Sequence, residues 1–272
     1  MVGDRLGTPG GARLRALREA TGRSQLWVEA EAELGTGYLQ RVEAGRVVQP
    51  THVTLERILT ALGARYSERR ELLALFGYLV ATPLPSDSDR VWAREVSAWQ
   101  LREAPFPVYV LDLATTLIAW NAQFARLLDA AVAGLRPEAL VSRPLLAHWF
   151  DTASPLATLV AAPETFLPAL IRAMRHEALQ LHAEGWYDEW LAALLALPRF
   201  QRYWAQVAGE REGSSAARAL VPVQLAAPGF GEAQFRLATE PFTRDMRFRL
   251  VYLFPADTAS MHRCAAWAEL LD

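Results

Sequence analysis

Residues Gly37–Pro50 read GYLQRVEAGRVVQP. Leu39 and Val42 stand three apart, as on the apolar face of a short amphipathic helix. Gly45 follows where such a helix stops, because glycine takes the left-handed closing turn without strain. Pro50 bars a helix from continuing through the loop. A short helix of this kind is either a reading helix or an ordinary surface helix with a glycine cap, and its neighbours in the sequence decide which.

The flanking pattern is helical and broken into short pieces. ARLRALREA (12–20) forms a first helix with Leu14 and Leu17 turned inward. Ser24 is a candidate N-cap for a second, QLWVEAEAEL, and Thr36 for a third, GYLQRVEA. Residues Thr54 to Leu62 form a fourth. Short helices with two close together match helix-turn-helix geometry, in which the second of the pair lies in the major groove and reads base edges with its N-terminal residues.

Residues 13–63 resemble the XRE/Cro-type helix-turn-helix family. Matching positions are Leu14, Arg18, Gln25, Val28, Ala32, Leu34, Leu39, Arg41, Val42, Glu43, Gly45, Pro50, Leu55, Ile58, Ala61, Leu62 and Gly63. The resemblance implies that Gln25 meets the DNA backbone, and that Thr36, Gly37, Tyr38, Gln40 and Arg41 lie near bases and phosphates, with Arg46 beside them. Gln40 suits adenine, which an amide contacts through two hydrogen bonds. Arg41 has a second reading as a salt-bridge partner of Glu43 or Glu19. Three positions depart from the family pattern: Gly37 offers no side chain for reading bases, and Glu29 and Glu33, which with Glu31 place negative charge close to the expected DNA face, replace smaller residues. Glu29 stands where a small residue lets the helices approach, and Glu33 where glycine takes a positive φ.

The chain has 272 residues, enough for two ordinary domains, and 52% are hydrophobic. Net charge is −2, so no global basic field marks a nucleic-acid partner. Residues 1–80 carry 11 Arg against 9 acidic residues, about +2, while the remainder carries 17 against 21, about −4. That sign favours the N-terminal part as the one that meets phosphates. All basic residues are Arg, and Cys264 is the one cysteine, so no intrachain disulfide forms and a reducing cytoplasm is expected. The start lacks an apolar signal region, and no apolar run reaches the roughly 18 residues of a membrane span.

ATPLPSDSD (Ala81–Asp89) reads as a linker or hinge, after which Trp, Phe and Leu become frequent. The expected domains are 1–80, a linker at 81–94, and 95–272. PVYVLDLATTLIAWN (Pro107–Asn121) reads as a hairpin, and PETFLPALIRAMRHEALQLHAEG as a helix with Leu167, Leu170, Ile171, Met174, Ala178 and Leu181 on one face. YDEWLAALLALPRFQRYWAQV reads as two helices broken before Pro198. VPVQL, AQFRLATE and RFRLVYLF read as strands, and a closing helix follows with Thr258 or Ser260 as candidate N-cap. The layout is α plus (α+β): an all-α domain, then an antiparallel sheet with flanking helices.

Enzyme chemistry finds no support in the sequence. Gly-x-Ser-x-Gly, phosphate-cradling glycine loops and His-Glu-x-x-His are absent, and the five histidines (52, 148, 176, 182, 262) lack metal-ligand spacing. The reading is a non-enzyme without a metal.

From about residue 95 to the end the chain resembles the MmyB-like ligand-binding family, which has a PAS-like fold. The stretches that carry this are PFPVYVLDLATTLIAWNAQFARLL (Pro105–Leu128), RPLLAHWFD (Arg143–Asp151), AMRHEA around Arg175, and FQRYW (Phe200–Trp204). The family often has Ser where Leu197 stands and His where Val221 stands. The resemblance implies a sensor of a small apolar ligand, a fatty acid. The expected ligand residues are Trp120, Phe124, His148, Trp149, Phe150, Arg172, Arg175, Phe200, Tyr203 and Trp204. Arg175 is the expected carboxylate anchor, since a planar guanidinium matches a carboxylate. Its other reading is an ion pair to Glu177 or Glu184. Together the two halves make a one-component transcription regulator, expected to act as a homodimer on a double-stranded DNA operator in the cytoplasm. A lipid- or metabolite-binding module that no longer reads DNA and acts through a protein partner is the alternative, prompted by Glu29 and Glu33.

Overall fold

The computed structural model describes residues 8–178, 181, 184–208 and 221–269. The chain divides into two compact units between Ala81 and Thr82.

The first unit holds α1 (Pro9–Ala20), α2 (Gln25–Glu31), α3 (Tyr38–Glu43), α4 (His52–Ala61) and α5 (Tyr66–Leu75). Thr8, Ser24 and Thr51 cap α1, α2 and α4, each hydroxyl accepting a first-turn N–H that has no helical partner. α3 closes on Gly45 at φ 70°: the Gly45 N–H bonds to the Val42 carbonyl and the Arg46 N–H to the Arg41 carbonyl. Leu14, Val28, Leu39, Val42, Leu55, Ile58 and Leu72 form one buried core. α1 approaches α3 closely enough that a Cβ on Gly11 would lie 2.5 Å from the Val42 carbonyl oxygen, so the packing requires glycine there.

The second unit is built on β1 (Val108–Asp112), β2 (Leu117–Trp120), β3 (Val221–Ala227), β4 (Gly231–Pro241) and β5 (Phe248–Pro255). They form a five-stranded antiparallel sheet in the order β2-β1-β5-β4-β3. The fold class is that expected from the sequence: a helical helix-turn-helix region followed by an antiparallel sheet with flanking helices. One sheet face carries Tyr109, Leu111, Leu117, Leu225, Phe235 and Leu253 against the larger core. That core is completed by α7 (Ala122–Ala131), α8 (Leu145–Phe150), α9 (Pro155–Thr158), α10 (Pro163–Ala178), α11 (Gly185–Leu195), α12 (Pro198–Ala208) and α13 (Thr258–Glu269). Val108, Val110, Ile118, Phe248 and Leu250 on the opposite face pack beneath α6 (Asp87–Glu103).

Two local expectations are corrected. α6 begins inside the stretch read as linker, because Ser86 and Asp89 form a reciprocal capping box. Only residues 78–86 there lack regular structure. α13 is capped by Asp257, whose Oδ1 accepts the Ser260 N–H at 2.7 Å, and neither Thr258 nor Ser260 serves. Asn121 caps α7 through the Phe124 N–H and also accepts the Val108 N–H, so one amide joins helix and sheet. The N-terminus of α6 is fastened by buried charges. Arg247, 3% exposed, meets Asp245 and Asp89, and Arg90 reaches the fully buried Asp112 at 3.3 Å.

Candidate functional site

The helix pair α2–α3 owes its geometry to carboxylates that the sequence pattern left unexplained. Glu29 is buried, and its two oxygens accept the Gly37 N–H at 3.0 Å and the Leu39 N–H at 2.8 Å. It thereby caps α3. The position is occupied by Gly37 at φ 76°, which has no side chain to do so, and Thr36 does not cap. Glu29 therefore does not project negative charge from the surface. Glu33 adopts φ 55°, the left-handed conformation expected of glycine, and its exposed carboxylate lies 3.5 Å from Arg57. Glu43 receives Arg18 through two bonds, 2.7 and 3.1 Å, and the Gln25 Nε2 at 2.7 Å. This network joins α1, α2 and α3. It occupies one N–H of Gln25, the residue expected against the DNA backbone. It also gives Glu43 a partner other than Arg41, whose guanidinium instead lies 5.6 Å over the Tyr38 ring.

What remains outward on this face is Thr36, Gln40, Arg41 and Arg46, all exposed, with Tyr38 half-buried. Together they offer an amide, two hydroxyls and two guanidinium groups along one short helix and the turns on either side of it. An open groove of about 420 Å³ lies elsewhere on the same unit, between α2 and α4, lined by Glu31, Glu33, His52, Val53, Glu56 and Arg57.

In the second unit most of the expected ligand residues share the larger core, but as several contacts. Phe150 meets Phe200 edge-on at 4.9 Å, Phe200 stacks on Trp204 at 5.6 Å, and Arg175 lies 4.9 Å over the Trp204 ring. Trp149 instead faces Phe166, and Phe124 faces Tyr109. Tyr203 is buried beneath Arg202, and Trp120 is half-buried at the end of β2. Arg172 is exposed, so it is not the desolvated cation a buried head group needs.

His148 stands apart from the aromatic chain. It is buried beside Arg143, Asp151 and Ser154, with Nδ1 3.1 Å from the Ser154 hydroxyl. Burial, helped by the Arg143 charge, holds its pKa below the ordinary value, while the Leu140 carbonyl and Asp151 oppose this. Of the alternative partners for Arg175, Glu184 accepts the Thr82 N–H at 2.6 Å, and the Glu177 side chain lies outside the described residues. Arg175 makes no ion pair among the described residues. The buried phenol of Tyr187 feels its charge, although burial dominates and raises the Tyr187 pKa.

Tyr187 and Arg143 were not foreseen. Tyr187 sits between Trp186 and Trp190 in the aromatic run WYDEW, where nothing in the sequence sets it apart; Arg143 is identifiable only by its contacts. His176 and His182 lie outside the residues whose side chains are described, as does the Ala178 end of the helical stripe. No group of three or more His, Cys, Asp or Glu suited to a metal occurs among the described residues, and no described helix is long and apolar enough to cross a membrane. The Cys264 thiol is buried and its pKa is pushed up to about 11, which keeps it protonated and unreactive.

Comparison with known proteins matches residues 11–72 to a family described as a helix-turn-helix domain. No curated protein matches the chain. Among solved structures the chain is similar to one titled "Structure of an RNA-binding Light-Oxygen-Voltage Receptor", at 10% identity and a TM-score of 0.29, over 98% of this chain. The match spans 63% of that receptor, under two thirds of its length, and a likeness so slight carries no weight for fold or function.

Proposed function

We propose that the chain is a transcription regulator. Its helical unit reads a double-stranded operator as half of a homodimer, and its sheet unit holds a fatty acid or similar apolar carboxylate that controls the reading. Such a regulator works in the cytoplasm, on the nucleoid. The helix-turn-helix match over residues 11–72 carries the DNA half of this reading, supported by the polar face of Thr36, Tyr38, Gln40, Arg41 and Arg46 around α3. Arg175 supports the ligand half. It stands at the end of the Phe150–Phe200–Trp204 chain, stacked on an indole and without an ion pair among the described residues.

A gel-shift titration with the DNA upstream of the protein's own gene, at two salt concentrations, tests the DNA half. Sequence-preferring binding is expected. Gln40→Ala should relax preference at one base pair by about 1–3 kcal/mol, whereas Arg46→Ala should weaken all sequences alike and lower the salt slope by about one. Calorimetry with palmitate tests the ligand half: Arg175→Ala should weaken binding, and unchanged affinity in a folded variant rejects Arg175 as anchor. A second reading, a module acting through a protein partner, draws on the groove of Glu31, Glu33, Val53 and Glu56. Absence of sequence preference at both salt concentrations would leave that reading standing.

A further inference from the structure

We propose that Arg23, stacked on the Trp27 indole, is a DNA-phosphate contact of the helical unit, with Trp27 as the residue that positions it. This rests on the regulator reading in one respect, that the unit binds double-stranded DNA, and adds a contact outside α3 and its flanking turns.

In a helix-turn-helix the first helix of the pair crosses the sugar–phosphate backbone while the second enters the groove. That first helix is α2. The affinity of such a crossing comes largely from cations that neutralise phosphates. Yet α2, QLWVEAE, carries no basic residue. Its acids are Glu29, buried as the cap of α3, and Glu31, which lines the groove with α4. A cation for this helix has to come from beside it, and Arg23 supplies one. Its guanidinium carbon lies 4.1 Å from the centroid of the Trp27 ring. Trp27 is 37% exposed and takes no part in the buried core of the unit, so packing does not account for an indole at this position.

The placement of Arg23 is fixed by the same network that joins the helix pair. Its N–H donates to the Arg18 carbonyl at 3.3 Å, and its carbonyl accepts the Arg18 Nη1 at 2.9 Å. The Arg18 guanidinium also donates to Glu43 at the end of α3. Arg23 therefore belongs to the frame of α2 and α3. Its charge is not taken up within that frame. Glu43 is engaged by Arg18 and Gln25, and Glu19 by Arg15 and Arg18. Arg23 is exposed and makes no ion pair among the described residues. The indole covers one flat face of the guanidinium and leaves its in-plane N–H donors open, in the fork geometry that matches phosphate oxygens. Holding the long side chain in place beforehand lowers the entropy lost when it meets its anion. An acidic protein surface would suit the same cation; the position beside the backbone-crossing helix favours phosphate.

Fluorescence-anisotropy titrations of the full chain test the proposal, using the duplex upstream of its own gene and a scrambled duplex of the same composition over a salt series. Arg23→Ala is expected to weaken both duplexes alike, by about tenfold, and to lower the salt slope by about one. Arg23→Lys should keep the slope and recover only part of the affinity, because an ammonium lacks the planar fork. Trp27→Ala should weaken binding in the parent and cost nothing further in the Arg23→Ala background, whereas a purely structural residue would cost the same in both. Unchanged melting is expected throughout, since both side chains are exposed and every substitution keeps the backbone groups that Arg18 holds. Affinity and slope indifferent to Arg23→Ala overturn the contact and point to a protein partner instead. A loss confined to one duplex makes Arg23 a base reader and overturns the phosphate assignment. Equal cost of Trp27→Ala in both backgrounds overturns its positioning role. A parent protein that binds neither duplex removes the DNA reading and this contact together; a parent that prefers its own duplex while Arg23→Ala binds equally well removes the contact alone.

Discussion

Glu29 shows how much one buried carboxylate can decide. Its two oxygens satisfy the Gly37 and Leu39 N–H groups at the head of the reading helix, where no helical carbonyl is available. Truncation leaves both donors without a partner, and Leu39 is fully buried. Each such donor costs about 1–3 kcal/mol. Glu29→Ala is therefore expected to speed hydrogen exchange at the Gly37 and Leu39 amides and to lower the melting temperature, by roughly 4–8 °C for each kcal/mol lost in a unit of this size. Glu29→Gln keeps one acceptor oxygen and should lose less. Exchange at both amides unchanged in Glu29→Ala would show that the cap contributes nothing. The residue type is visible in the sequence, where its charge counts against DNA binding. The missing information was the direction of the side chain, which only the packing of α2 against α3 supplies.

At the scale of elements, the segment from Arg143 to Ser154 carries a pH dependence. His148 is buried between the start of α8 and the start of α9, and its pKa lies below the ordinary value of 6.5. For a base with a depressed folded pKa, the unfolded chain takes up its proton first as pH falls. Stability contributed by the neutral ring is therefore present above about pH 6.5 and declines below it, levelling off once the folded pKa is passed. Asp112 works in the other sense, because burial pushes its carboxyl up and its protonation favours the folded state at acid pH. A comparison of proteins isolates the histidine: the melting temperature of the parent should fall faster between pH 7 and pH 5 than that of His148→Gln. Parallel curves would assign the slope to other groups. α6 offers the parallel lesson for secondary structure. Its Pro, Ser and Asp start has the composition of a linker, yet Ser86 and Asp89 at i, i+3 are also a capping box, and the two readings share the same letters.

For the whole molecule, the break between Ala81 and Thr82 separates two units with their own buried cores. Each is expected to fold alone. Fragments 1–81 and 82–272 should both show cooperative melting, and a fragment 82–272 that stays unfolded would show that its core depends on the helical unit. Much of this architecture was written in local patterns. The helices of the first unit follow from apolar spacing, Ser24 as cap and Gly45 as stop, and the hairpin and closing strands from alternation and turn residues, because these signals act over a few residues. Several features had no local signal. The strand order β2-β1-β5-β4-β3 brings β1 and β5 together across more than a hundred residues. The Arg18–Glu43–Gln25 network, the polar surroundings of His148 and the stacking of Arg175 on Trp204 arise from contacts between distant segments. By itself the sequence determined most of the stretches that become helix and strand, since backbone propensity, capping and periodicity are properties of neighbouring residues. Only the tertiary structure decided which charged and aromatic side chains are enclosed, which are paired and which stay open to a partner, because burial and pairing depend on what the rest of the chain brings alongside.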